Sequence, residues 1–313
     1  MKFVLCNDVH LTSAKPAGRT DDVMEAGLTK FTAIMELADA VDALLIAGDL
    51  CNGRRDWYLL PQLISLINRY AVEIEVVYGQ HDMYMRSEEN KDATTVGVLA
   101  QAGAVNILDA DGAYYGAPGS DDYVHIQGCS WGHDVPTPPT DGATFNILVI
   151  HAPIADNPAY HGHVYTDTKE FLKQHPGYDL VLCGDVHRRF HVTHGKQMAI
   201  NTGPIVRIDA DDYNRELMPA VAVVDTGTRE VTWYDLPAEP GDVVLSREHI
   251  EAKAANEAML TEFVAMVKQP KTTRGMPMLD RVRGWIGANK KQTDVVDLLG
   301  ELCGLTGSGT KGS

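Results

Sequence analysis

Short apolar runs that stop at Gly, Asp or His recur through the first two thirds of this chain. Lys2–Cys6, Ala43–Ala47, Glu73–Tyr78, 145–150 and 179–183 each read as a strand buried on both faces. Between them, Met24, Leu28, Phe31, Ile34, Met35 and Ala38 recur at helical spacing and predict a helix over 22–40. Further helices are predicted over 57–70, 93–102 and 167–174. The opening order β-α-β-α-β predicts parallel pairing with right-handed crossovers. Short strands punctuated by Gly, Pro and Asp follow over 105–130, and strands dominate 189–236. Asp225-Thr-Gly-Thr joins Ala220–Val224 to Glu230–Tyr234 as a hairpin. Strands from two portions of the chain predict two packed sheets with helices outside.

Pro237-Ala-Glu-Pro-Gly241 marks a boundary, beyond which helical patterns run over 246–268, 277–289 and 292–304. The expected organisation is a domain over 1–240, a helical extension over 241–304 and a flexible tail over 305–313. Residues 266–291 carry seven Lys or Arg against one Asp, a local net of +6, with Trp285 among them. The helix over 292–304 sets Val295, Val296, Leu298, Leu299 and Leu302 on one apolar face.

Composition narrows the picture only a little. The 313 residues are 44% hydrophobic and 22% charged, an ordinary globular balance, and no apolar run approaches the ~20 residues that span a bilayer. Met1-Lys-Phe-Val-Leu-Cys6 passes directly into Asn7-Asp-Val-His10 without a signal-peptide pattern, so a cytoplasmic location is expected. Five cysteines without a Cys-x-x-Cys pair point to a reducing compartment, with Cys6, Cys51 and Cys183 as packing residues. A net charge of −16 argues against a general nucleic-acid coat, since phosphate contacts need local Lys and Arg. It leaves nucleic-acid chemistry open, because bound cations supply positive charge.

The candidate chemistry lies just past the apolar strands: Asp8-Val-His10, Gly48-Asp49, Gly79-Gln80-His81-Asp82, His151, and Gly184-Asp185-Val-His187. In open α/β sheets, ligands bind at the carboxyl ends of the strands, so one sheet edge gathers residues that are far apart in sequence. Carboxylate and imidazole ligands together form a cage suited to Mn²⁺, Fe or Zn²⁺. Two such ions roughly 3.5–4 Å apart clamp an in-line displacement at phosphorus and generate hydroxide near neutral pH.

These motifs, in this order, resemble the calcineurin-like metallophosphoesterase superfamily over about residues 1–236. The resemblance implies a four-layer α/β sandwich, two mixed sheets flanked by helices, with a dinuclear centre. It implies that Asp8, His10 and His187 hold one metal and Gln80, His151 and Asp185 the other, with Asp49 bridging. His81 becomes the histidine that acts on the leaving oxygen, oriented by Asp82. Gln80 replaces the family's Asn and Asp185 its His, a donor set that favours Mn²⁺, with Fe, Mg²⁺ or Zn²⁺ as alternatives.

Within the superfamily the chain is similar to SbcD-type DNA exonuclease subunits, including phage versions. The similarity rests on Phe3-Val-Leu-Cys-Asn-Asp-Val-His-Leu11, on Asn201-Thr-Gly-Pro-Ile-Val-Arg207, and on the helical C-terminus. It implies Mn²⁺-dependent exonuclease and endonuclease activity on DNA in an SbcCD-like repair complex. The implied partners are an SbcC-like coiled-coil ATPase and a second copy, contacting through 57–70 and 84–101. His161, His163, Arg188 and Arg207 are the candidate substrate-binding residues. The host cytoplasm is the expected location if a phage encodes the chain. Two alternatives stand beside this reading: a phosphatase or cyclic-nucleotide phosphodiesterase of the same superfamily, and a catalytically weak scaffold for the ATPase.

Overall fold

A computed structural model describes residues 1–52, 55–83, 88–138, 142–156, 164–248, 257–265, 282 and 285. In chain order its elements are β1 (Lys2–Cys6), α1 (Val23–Ala38), β2 (Ala43–Ile46), α2 (Leu60–Ile67), β3 (Ile74–Val76), α3 (Thr95–Gln101), β4 (Asn106–Ile107), β5 (Ala113–Tyr115) and β6 (Val124–Cys129). There follow β7 (Phe145–His151), β8 (Ile154–Ala155), β9 (Thr166–Asp167), α4 (Thr168–Gln174), β10 (Leu180–Gly184), β11 (Phe190–His194), β12 (Gln197–Asn201), α5 (Asp212–Glu216), β13 (Ala220–Asp225), β14 (Glu230–Asp235) and α6 (Gly241–Val244).

Two six-stranded sheets carry the fold, ordered β14-β13-β1-β2-β3-β4 and β11-β12-β10-β7-β6-β5. Both are mixed. In the first, β1, β2, β3 and β4 run parallel, while the β13–β14 hairpin closes antiparallel on β1. Strand alternation then sorts side chains into layers. Phe3, Leu5, Ala43 and Leu45 face the second sheet and meet Ile147, Val149, Leu180 and Leu182 in a shared core. Val4, Cys6, Leu44 and Ile46 face the other way, onto Phe31, Ile34 and Met35 of α1 and Leu63 of α2. Behind the second sheet, Leu148, Ile150, Val181 and Cys183 pack on Phe171 and Leu172 of α4. The four-layer sandwich follows directly.

The helices are shorter than their periodic patterns, for local reasons. Asp22 caps α1 by accepting from Glu25 N–H at 3.0 Å. Its buried face includes Lys30, which the apolar spacing did not mark. Trp57 and Tyr58 are exposed and form the turn before α2, which has Pro61 in its first turn. Helix α5 interrupts a stretch in which strands were expected to dominate; Asp211 caps it through Asn214 N–H at 2.8 Å.

The chain divides into two compact units, Met1–Ser246 and Arg247–Ser313. In the second, residues 257–265 are helical, and Phe263 meets Trp285 with ring centroids 5.1 Å apart. Apart from Val282 and Trp285, which are helical, the helices expected over 277–289 and 292–304 lie outside the described residues, as do most of the basic stretch 266–291, the tail, and His161 and His163. Among the described residues, no helix is long and apolar enough to cross a membrane.

Candidate metal centre

The strand-end residues meet at one rim, drawn from both sheets. Asp8 and His10 follow β1, Asp49 follows β2, and Gln80 and His81 follow β3. His151 ends β7, and Asp185 and His187 follow β10. Asp8, His10 and Asp49 are fully buried and His151 nearly so; Asp185 and His187 open partly to solvent.

Backbone geometry forces this convergence. Asp8, His10, Asp49 and Asp185 have φ of 48°, 52°, 50° and 88°. These are four of the five positive-φ residues other than glycine among the described residues, the fifth being Arg229 in a hairpin turn. Asp and His tolerate this left-handed region better than most side chains, and such conformations gather at functional sites. Gly48 has φ 76°, and a Cβ there would overlap the His151 ring. A Cβ on Gly184 would strike Ala47 O. Both positions need the bare backbone.

Two clusters share one edge. In the first, the Nε2 atoms of His10 and His187 lie 2.9 Å apart, with Asp8 Oδ1 3.9 Å from His10 Nε2 and 3.7 Å from His187 Nε2. In the second, Asp49 Oδ2 lies 3.5 Å from His151 Nε2 and 3.8 Å from His10 Nε2, facing both. Asp8 belongs to both groups: its ligand atoms lie within 4.8 Å of those of His10 and His187, and within 4.8 Å of those of Asp49 and His151.

Hydrogen bonding tests whether these residues suit a cation. His151 Nδ1 donates to Ala47 O at 2.7 Å, which fixes its tautomer and turns Nε2 towards the cluster. Nε2 then meets Gln80 Oε1 at 2.7 Å, while Gln80 Nε2 donates to Asp185 Oδ1 at 2.6 Å. Two acceptors face each other unless a proton or a metal ion sits between them. Asp49 Oδ2 and His10 Nδ1 are buried without any hydrogen-bond partner. An unpaired carboxylate oxygen is costly in such a place unless a cation satisfies it. The donor set fits two divalent ions.

Burial lowers the His151 imidazole, but Asp49, Asp8 and Asp185 outweigh it and hold it at about 9. Burial pushes the Asp49 carboxyl up to about 8. Burial alone would raise Asp8, yet its His187 hydrogen bond and the charges of His187, His151 and His10 carry it well below the carboxylate range. Burial, then His187, drives His10 down, so it stays neutral with a lone pair to give. Cys6, Cys51 and Cys183 are free thiols, and burial raises each of them, which suits packing rather than ligation.

His81 is exposed at the rim. Its backbone N–H donates to Asp49 Oδ1 at 2.8 Å, and its ring stands edge-on to His10 with centroids 5.2 Å apart. Asp82, fully buried, accepts from Cys51 N–H at 2.9 Å, Gly79 N–H at 3.0 Å and Leu50 N–H at 3.3 Å. It thereby ties the loop after Asp49 to the turn before His81. Burial raises its carboxyl to about 6 against those bonds. Arg188 stacks on Tyr213 at 3.9 Å and pairs with Asp211 at 3.4 Å, beside His187. Arg207 is buried elsewhere, in a cavity whose lining includes no strand-end residue.

Sequence reasoning passed over Asn7. Its Nδ2 donates to Asp8 Oδ2 at 2.6 Å and to Asn201 Oδ1 at 3.1 Å. Its Oδ1 accepts from Thr202 N–H at 2.6 Å and Thr202 Oγ1 at 2.7 Å. Ile205 N–H then bonds Asp8 O at 3.1 Å. The only signal was an amide at the end of an apolar strand, next to a motif aspartate.

Residues 1–189 match the calcineurin-like phosphoesterase family. The chain belongs to that family of metallophosphoesterases. No curated protein matches it by sequence. Among solved structures it is similar to an archaeal phosphodiesterase, at 15% identity over 75% of this chain and 100% of that one, with a TM-score of 0.41. It is similar to 5'-nucleotidase from Candida albicans at 14% identity, 77% and 53% coverage and a TM-score of 0.44. Vps29 from Entamoeba histolytica follows at 12% identity, 75% and 91% coverage and 0.37. None of these three reaches a TM-score of 0.5, and the family assignment rests on the sequence match.

Proposed function

We propose that this phosphoesterase is a Mn²⁺-dependent DNA nuclease, an SbcD-like subunit that works with a coiled-coil ATPase of the SbcC kind. The observation that carries the hydrolytic part is the buried Asp49 oxygen that accepts no hydrogen bond between the His10 and His151 nitrogens. Asp8, His10 and His187 would hold one ion, Gln80, His151 and Asp185 the other, and Asp49 would lie between them. When bound, the two ions polarise the phosphodiester and activate water for in-line attack. The chain's own residues do the rest. Ala47 O orients His151, Asn7 orients Asp8, and Asp82 sets the loop that carries His81. His81, open to solvent at the rim, delivers a proton to the leaving oxygen. Arg188, beside His187 and half-buried, is placed to meet a flanking phosphate.

DNA as substrate draws its support from the motif order, the Asn201–Arg207 segment and the helical C-terminus, which we assign to partner docking. The test is purified protein with Mn²⁺, offered linear duplex DNA beside a small chromogenic phosphodiester, with His81→Ala as control and the ATPase added in a parallel arm. Degradation of DNA that His81→Ala abolishes supports the nuclease. Hydrolysis of the small ester alone, with or without the ATPase, assigns the protein to small-molecule phosphodiester chemistry. Neither reaction leaves a scaffold.

A further inference from the structure

A second polar cavity, of about 440 Å³, opens between the first turns of α1, the segment around Arg207 and residues 237–244. Three cationic side chains line it: Arg19, Lys30 and Arg207. They are 4%, 3% and 3% exposed, so all three sit at its floor. The acids around the cavity are placed differently. Asp22, Glu25 and Glu239 are exposed, at the mouth, and Asp21 is half-buried between them and the floor.

The cations at the floor are unequally matched. Arg19 is satisfied: Nε and Nη2 grip Asp21 at 2.8 and 2.6 Å, and Nη1 donates to Arg207 O at 2.9 Å. Arg207 donates Nη1 to Leu217 O and Nη2 to Glu239 O, both neutral carbonyls, and its buried Nε has no partner. Lys30 Nζ makes one hydrogen bond, to Ala26 O in its own helix at 3.2 Å. An ammonium carries three donors, so two remain. Lys30 and Arg207 thus line the cavity with no carboxylate in hydrogen-bond contact, and Asp21, already gripped by Arg19, is the acid that acts on both. Such charges are costly unless paired. Burial, with Arg19 and Arg207 nearby, lowers Lys30 to about 8.

We infer that this cavity binds a small oxyanion, a phosphate or carboxylate group, held by Lys30 Nζ beside the Arg207 guanidinium. Both donors are charged, and a charged donor to an oxyanion makes the strong kind of hydrogen bond. The cavity leaves room for a small organic body behind the anionic group, while the acids at its mouth repel a polyanionic strand. None of the motif residues of the metal centre lines it. It shares one segment with that centre: Arg207 lies two residues beyond Ile205, whose N–H bonds Asp8 O.

Calorimetric titration of the full chain with inorganic phosphate, and separately with acetate, tests this. Lys30→Met and Asp49→Asn are run in parallel, the first removing the floor cation and the second disabling the metal centre. Lys30→Gln repeats the first in case the Met variant folds poorly. The expected result is binding of at least one anion that weakens about tenfold or more in the Lys30 variants and survives in Asp49→Asn. Phosphate alone points to a phosphorylated ligand, and acetate to a carboxylate. Binding lost in Asp49→Asn but kept in the Lys30 variants puts the anion at the metal centre and overturns the inference. No binding of either anion overturns it as well.

Discussion

Asp49 Oδ2 lies 3.5 Å from His151 Nε2 and accepts no hydrogen bond, although its residue is fully buried. Asp49→Asn keeps the Oδ1 that accepts from His81 N–H and turns an NH₂ towards His151. The variant removes the largest charge that holds the His151 imidazole up, so in chelator that ring is expected to titrate lower than in wild type, while phosphodiester hydrolysis falls by about two to three orders of magnitude. NMR titration of the ring and an activity assay check both halves. A variant that stays active rules out the bridging role.

Asn7 holds Asp8 from behind. Asn7→Ala removes the donor to Asp8 Oδ2 and strands the Thr202 N–H. The expected cost is about 1–3 kcal/mol of stability and about 10–100-fold in metal affinity. Competition against a chelator measures the second; unchanged metal affinity with lowered stability would confine Asn7 to a structural role.

Asp82 separates two accounts of its neighbour. If its three backbone bonds are what matter, Asp82→Asn turns an NH₂ against N–H groups and costs about 2–3 kcal/mol. If orienting His81 were its whole task, the melting temperature would hold and only kcat would fall. The buried bonds predict the first outcome, read from denaturant unfolding.

Stripping metal should lower the melting temperature, and an ion at about a hundred times its Kd should return about 2.7 kcal/mol. With Gln80 and Asp185 in the second cluster, Mn²⁺ is expected to restore more activity than Zn²⁺. Equal activity with Zn²⁺ alone would refute that preference.

Lys30 gives a pH signature away from the metal centre. Its folded pKa, about 8, lies below the ordinary lysine value of 10.5. Between those values the unfolded chain binds more protons, so stability rises with pH through that window. Below pH 8 the buried charge costs the fold on the order of 3 kcal/mol. Lys30→Met should therefore exceed wild type in stability most at pH 7, with the gap closing towards pH 10.5. Melts in oxyanion-free buffer test this, and added phosphate should narrow the gap at pH 7.

What the sequence revealed and what it hid divide along a physical line. Strands such as Ala43–Ile46 are continuous apolar runs, and Gly48 and Asp49 behind them announce a turn and a ligand, so the rim was readable residue by residue. Helix α2 was read too long, because Trp57 and Tyr58 carry an apolar signal yet stand in solvent. Asn7 and Lys30 escaped for a different reason. The partners of Asn7 lie near position 201, and Lys30 looks like any helical lysine until Arg207, far along the chain, folds over it. Such roles belong to tertiary contacts, which spacing does not encode.

The proposed ligands come from both sheets, Asp8, His10, Asp49 and Gln80 from one, and His151, Asp185 and His187 from the other. Cations seated there would rivet the two halves of the sandwich together. A slip of one sheet across the other would be felt at the rim before it showed anywhere else. Trimming Leu45 or Ile147 in the shared interior, residues that touch no ligand, ought then to register first as a drop in ion retention, making the rim a strain gauge for the protein's own interior.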